Sequence, residues 1–295
     1  MRTVAIYGVG LIGGSFALAL RKAGYDGRIV GVSSPVTIAR ALELGVIDEG
    51  APPLEAASRA DLVFVAQPIR VIIETIRQIA PYVRSNAVVT DVGSTKAAIV
   101  AAASEHLPAG VFVGGHPMAG KEERGVEAAC AELFQRRVWA FTPIQAGDLT
   151  RTEFRQFLQW VERIGALPVV LDASEHDRTV ALTSHLPQLA STALAAMLQD
   201  TFTGGPPTLH GPGLADMTRL ALSSFDIWAD IFDTNRQHVT TALEAWLVIL
   251  LDLRAALANG RDSDIRSIFA RAELFASSLR TPRTDSQDNL FTKFT

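Results

Sequence analysis

The chain is predicted to be an α/β protein, with a doubly wound, mostly parallel sheet followed by an all-helical domain. Three observations carry this. Short apolar runs alternate with stretches of helical spacing as far as Asp172. A glycine-rich turn joins the first of these runs to the first helix. Beyond Asp172 the strand-like runs stop, and long amphipathic or wholly apolar helical stretches replace them.

The elements follow in order. "TVAIY" (residues 3–7) reads as a buried strand, "GVGLIGG" as a turn, and residues 15–23 as a helix ending near Gly24. "RIVGVS" (28–33) is a second apolar strand, followed by a helical stretch from Pro35 to Leu44. "ADLVFVAQP" (60–68) and "NAVVTDVGS" (86–94) are further strands, each followed by helical spacing. "GVFVGGHP", "VWAFTPI" and "ALPVVLD" (166–172) complete the sheet. Helices are then expected over 174–199, 215–258 and 262–279, with a Gly/Pro-rich loop at 201–213 long enough to serve function. The expected organisation is a dinucleotide-binding domain over 1–172, a helical domain over 173–280 and a tail over 281–295.

Composition narrows the class. Apolar residues make up 48% and charged residues 20% of 295 residues, the balance of a globular chain with a large core. A net charge of −4 and the lack of any long basic run argue against nucleic-acid binding. Cys130 is the one cysteine, which fits a reducing, cytoplasmic setting and no internal disulfide. The apolar start has no basic leader and is interrupted by Gly8, Gly10, Gly13 and Gly14, unlike a signal peptide. No apolar run is long enough to predict a membrane span. "ALEAWLVILLDLRAAL" is apolar nearly all round, which predicts packing against a second subunit.

Gly8, Gly10 and Gly13 form G-x-G-x-x-G, directly after a strand and opening a helix. In that context Gly8 permits the turn, Gly10 lets backbone approach a pyrophosphate, and Gly13 allows close helix–strand packing. The pattern is that of a Rossmann-type dinucleotide site. Leu11 and Ile12 in the turn, with Gln67 and Pro68 at the end of the 60–68 run, complete the candidate cofactor set. An acidic residue is expected at the end of the second strand to bind a ribose 2′-OH, but Ser33 and Ser34 stand there. Two hydroxyls without a carboxylate favour NADP over NAD. No arginine follows directly, and Arg40 lies at least a turn into the next helix.

Ligands of such folds bind beyond the carboxyl ends of the strands. Two segments leave strand ends with polar side chains: "TDVGSTK", with Ser94 and Lys96, and "VGGHPMAGKEERGVE", with His116 and Glu122. A histidine facing a nicotinamide has a pKa suited to taking a hydroxyl proton as hydride leaves the same carbon. His116 is therefore the catalytic candidate and Ser94 its orienting partner. His106, His176, His210 and His238 carry no assigned role, and no cluster has metal-ligand spacing.

The motifs "GVGLIGGS", "DVGSTK", "GGHPMAGKEERGVEAA", "SEHDRTVALTSHLPQ", "DMTRLALSSFDIW" and "IFDTNR" together resemble the prephenate and arogenate dehydrogenases of tyrosine biosynthesis, from Val4 to Leu279. The resemblance implies oxidative decarboxylation of a cyclohexadienol, with hydride transfer to NAD(P)+ and aromatisation as the driving force. It implies that His116 polarises the substrate's 4-hydroxyl and that Arg219 grips a carboxylate. It also implies acidic partners, Glu122 and Asp177, in an ionic network with Arg219 at the pocket mouth. His185, Gln188 and Trp228 are implied to belong to the substrate pocket, and the helical domain to form a homodimer.

Two departures bear on specificity. Gln188 stands where prephenate-specific members often carry a second histidine, which opens the choice between a keto acid and an amino acid. Pro212 replaces a glycine found in some relatives. No appended regulatory domain is expected within the 295 residues, so tyrosine inhibition, if present, is expected to act at the active site. The rival readings are another hydroxyacid or imine oxidoreductase of the same plan, and a dinucleotide-binding sensor without turnover. The presence of "GGHPMAG", "DMTR", His116 and Arg219 argues against both.

Overall fold

The computed structural model describes residues 1–280, and the expected tail at 281–295 lies outside them. The chain forms two compact units: residues 1–177 with 223–234, and residues 178–222 with the described part of the stretch from 235.

In the first unit, β1 (Thr3–Tyr7), β2 (Arg28–Val32), β3 (Glu49–Gly50), β4 (Leu62–Val65) and β5 (Val88–Asp91) form a parallel sheet in the order β3-β2-β1-β4-β5. The connecting helices are α1 (Leu11–Lys22), α2 (Pro35–Glu43), α3 (Pro53–Arg59), α4 (Ile69–Ile79) and α5 (Ala97–His106). Adjacent residues of β1 and β4 serve opposite faces. Val4, Ile6, Leu62 and Phe64 join one core, while Ala5, Tyr7, Val63 and Val65 join the other. Helices cover both faces, so these strands read as unbroken apolar runs rather than alternating ones.

A second sheet contains β6 (Val113–Pro117), β7 (Val138–Pro143) and β8 (Leu167–Val170), with α6 (Thr152–Arg163) before β8. A parallel bridge between Val89 and Phe112 ties it to β5. β6 and β7 run antiparallel, as a mostly parallel arrangement allows, and one element differs from expectation: β3, whose two residues carry no periodic signal. In the larger core, Phe16 stacks on Phe64 with ring centroids 4.1 Å apart, and Trp139 is fully buried between β6 and β8.

Helix α7 (Ala173–Val180) leads into a π-helical turn, Ala181–His185, and then α8 (Leu186–Thr201). Pro187 accounts for the widened turn: it has no N–H to close the ordinary helical bond. After the loop come α9 (Pro212–Thr218), a 3-10 turn at Arg219–Leu222, α10 (Phe225–Thr234), α11 (Arg236–Ala258) and α12 (Asp262–Ser278). The single helix expected over 215–258 is therefore broken. Ser224 accepts a hydrogen bond from the Asp226 amide at 3.3 Å, and Asn235 leaves the helical region at φ −129°, so each starts a new helix.

Helix α10 is part of the first unit. Arg70 pairs with Asp230 and Asp233, each at 3.0 Å, the Thr95 and Thr234 hydroxyls lie 2.7 Å apart, and Ile231 is buried in the second core. No described helix is long and apolar enough to cross a membrane.

Candidate active site

In the order β3-β2-β1-β4-β5 the connections leave β1 and β4 in opposite directions, which opens a crevice at their carboxyl ends. A cleft of about 530 Å³ lies there, lined by Gly8, Gly10, Ser33, Arg40, Gln67 and Pro68 among others. Gly8 has φ +89°, and a Cβ there would overlap the Ala66 carbonyl. A Cβ on Gly13 would overlap the Gly8 carbonyl and come within 2.8 Å of the Ile6 side chain. A Cβ on Gly10 would meet no atom within 4 Å, so the space in front of it is open to the cleft.

Helix α1 starts at Gly10 with no side-chain cap and no acidic residue in its first turn. The opening amides at Leu11 and Ile12 thus carry the partial positive charge of an uncapped helix end. Open space, bare amides and a first turn without an acid fit the pyrophosphate of a dinucleotide. A smaller hollow of about 230 Å³, lined by Arg2, Asp61, Leu62 and Asn86, sits at the amino ends of the strands, the wrong end for such a ligand.

Around the ribose position the two serines divide. Ser33 lines the cleft, whereas Ser34 is the N-cap of α2, its Oγ accepting from the Thr37 amide at 3.2 Å and lying 2.9 Å from the Thr37 hydroxyl. Thr37 and Arg40 line the cleft instead, with Arg40 bound to Glu43 and, at 3.3 Å, to Glu127.

His116 is half-buried on β6, opposite Ala140 of β7. Its glycine frame has a steric cause. A Cβ on Gly115 would stand 2.5 Å from the Asp91 carbonyl and 2.8 Å from the Thr90 hydroxyl, and one on Gly114 would overlap the Thr142 hydroxyl. The Gly115 N–H donates to Asp91 at 3.1 Å, and its carbonyl accepts from the Lys96 ammonium at 2.8 Å. Lys96 also pairs with Asp91, both side chains being wholly buried. Burial pushes the Lys96 ammonium below the ordinary lysine range, and the Asp91 carboxylate pulls it back.

The imidazole has a partner that sequence reasoning missed. His116 Nδ1 lies 2.9 Å from His176 Nε2, and His176 Nδ1 lies 2.9 Å from Asp177 Oδ1. His176 is 1% exposed. Ser94, expected to orient His116, is half-buried in the turn after β5 and makes no hydrogen bond to it, the ring's Nδ1 being engaged by His176. Asp177 was expected at the mouth of the pocket. It is buried instead, and accepts from the backbone amides of Lys96 at 2.7 Å and Ala97 at 2.9 Å, at the start of α5.

The remaining candidates are distributed as follows. Glu122 is exposed in the loop after β6. Trp228 packs against the second core, lies tilted against Phe232 with centroids 5.6 Å apart and donates to the Ser223 hydroxyl at 2.9 Å, the setting of a core-edge aromatic. In the second unit, His185 is buried in the π-helical turn, 3.3 Å from the Asn235 side-chain amide. Gln188 was expected beside the substrate's side chain. Its NH₂ is committed to the Leu220 carbonyl at 2.8 Å and the Thr192 hydroxyl at 3.2 Å. Arg219 is exposed and opens the 3-10 turn that Gln188 holds. Pro212 is the first residue of α9, where its missing N–H costs nothing.

Comparison with known proteins agrees with this arrangement. Residues 16–170 match the family model of the prephenate dehydrogenase nucleotide-binding domain, and residues 172–271 that of the prephenate dehydrogenase dimerization domain. A prephenate dehydrogenase of Lactococcus lactis is 31% identical over 250 residues, covering 83% of this chain and 68% of that protein. The crystal structure of Aquifex aeolicus prephenate dehydrogenase with hydroxyphenyl propionate and NAD+ superposes with a TM-score of 0.86 at 30% identity, over 95% of this chain and 98% of that one. Synechocystis arogenate dehydrogenase superposes with a TM-score of 0.79 at 28% identity, over 94% of this chain and 99% of that one. A dinucleotide cleft at the switch point of the sheet, followed by helices that match the family's second model, leads to one conclusion: the chain belongs to the prephenate dehydrogenase family of NAD(P)-dependent oxidoreductases.

Proposed function

We propose that this chain oxidatively decarboxylates prephenate or arogenate, giving 4-hydroxyphenylpyruvate or tyrosine. The observation that carries the assignment of roles is His116 at the carboxyl end of β6, backed by a buried histidine and set at the strand end that the Gly8–Gly10 cleft also occupies. Bound NAD(P)+ supplies the hydride acceptor. His116 accepts the proton of the ring hydroxyl, and Arg219 grips a substrate carboxylate. Glu122, His185 and Trp228 shape the surroundings, and Gln188 and Asp177 act through the residues they hold.

Of the two cofactors we favour NADP. Ser33, Thr37 and Arg40 line the cleft at the end of β2, and Ser33 stands where a carboxylate would repel a 2′-phosphate. Homodimerisation through the second unit is supported by exposed apolar side chains on α11 and α12, among them Leu247, Val248, Leu251, Phe269, Leu274 and Phe275. The matched family model is likewise described as a dimerization domain. A cytoplasmic setting fits the single cysteine.

The test is a four-way assay of prephenate or arogenate with NAD+ or NADP+, following reduced nicotinamide, on the wild type and on His116→Asn. Turnover of at least one substrate is expected, with NADP+ preferred. His116→Asn should keep cofactor affinity and lose turnover by roughly a hundredfold or more. No turnover in any mixture, with cofactor still bound, would overturn the reading.

A further inference from the structure

We infer that His176 and Asp177 fix the tautomer of His116, which makes His176 a positioning residue. This rests on the reading of His116 as the proton acceptor. The direction of the chain of hydrogen bonds follows from which groups can only donate. Asp177 takes the backbone N–H groups of Lys96 on Oδ1 and Ala97 on Oδ2. A carboxylate so placed, at the first amides of α5, is an acceptor, so His176 Nδ1, 2.9 Å away, carries the proton between them. A neutral His176 then presents a lone pair on Nε2. His116 Nδ1, 2.9 Å from it, must bear a proton and donate.

The consequence is at the far side of the ring. With Nδ1 protonated, the lone pair of His116 lies on Nε2, the ring nitrogen not bonded to His176. Positive charge acquired there is stabilised through His176 toward the Asp177 carboxylate. The backbone is fixed by separate means, because the Gly115 N–H and carbonyl are held by Asp91 and Lys96. Ring orientation and strand position are therefore set by different residues. Loss of His176 should disturb the first and spare the second.

The experiment is nitrogen-15 NMR of histidine-labelled enzyme without substrate, at a pH above the usual histidine range of about 6.5, with His116 assigned by its loss in His116→Asn. The wild type should show His116 protonated at Nδ1. In His176→Phe that signature should shift toward the Nε2-protonated form, and kcat should fall roughly a hundredfold with the KM for substrate nearly unchanged. His176→Gln can still accept from His116 and donate to Asp177, so it should recover much of both signals. A wild-type His116 protonated at Nε2, or an unchanged His116 tautomer in a folded His176→Phe, would overturn the inference. Normal turnover by His116→Asn would instead remove the acid–base role of His116 and leave the tautomer result standing.

Discussion

The Gln188 side chain donates to the Leu220 carbonyl at 2.8 Å, one residue beyond Arg219. From the same helix, Ser191 accepts the Ala221 N–H at 3.1 Å. Two side chains of α8 thus hold the 3-10 turn that presents the arginine. Gln188→Met keeps volume and removes this donor. It should raise the KM for substrate about tenfold, equivalent to one charge-gripping contact loosened by about 1.4 kcal/mol, and leave the cofactor KM unchanged. Steady-state kinetics with both substrates decides the matter, because a Gln188 that read the substrate directly would change the preference between them instead.

The glycines of the first turn should separate cofactor binding from folding. Gly10→Ala meets nothing within 4 Å, so its melting temperature should match the wild type while NAD(P)+ affinity falls. Gly13→Ala collides with the Gly8 carbonyl and the Ile6 side chain, and should be destabilised by about 1–3 kcal/mol. Thermal melts with and without cofactor distinguish them: added NADP+ should stabilise the wild type and not Gly10→Ala.

Arg40→Ala should raise the KM for NADP+ about tenfold and change that for NAD+ little, the usual worth of one charge-assisted contact. Ser33→Asp should move preference from NADP+ toward NAD+, since a carboxylate at the end of β2 repels a 2′-phosphate and accepts from a 2′-OH. Equal effects on both cofactors would show that these residues do not face the 2′ position.

Lys96→Met leaves the Asp91 carboxylate buried without its cation and should cost about 3–5 kcal/mol in denaturant unfolding. Because burial holds the Lys96 pKa below its unfolded value, the folded state binds this proton less readily than the unfolded chain. This lysine taken alone therefore makes the wild type lose stability as pH falls through the range between the two values. Lys96→Met should lack that component of the pH dependence.

The parts of this fold that were legible are those written locally. Gly8 and Gly13 each answer to an atom within a few residues or one strand away, Gly10 faces open space, and the apolar runs follow from burial on both faces. His176 was not legible, because its partner is 60 residues away and only the placement of α7 brings them together. The local signal for it is the adjacent His-Asp pair in "SEHDR". Thr37 and Arg40 are three residues apart, the spacing of one helical face, and Ser33 lies just before that helix. The break at Ser223–Ser224 was hidden because apolar periodicity continues across it, while the caps that cause it are single polar residues.

Helix α10 gives the molecule a property that its linear order conceals. The border between the units is crossed at 177/178, at 222/223 and again at 234/235. No cut in the gene can liberate the nucleotide-binding half whole. A fragment stopping at Asp177 would carry Arg70 without Asp230 or Asp233, and a core stripped of Ile231. The two halves are thus inherited as one unit, and a chimera that exchanges the second of them must take α10 from the same parent as the sheet.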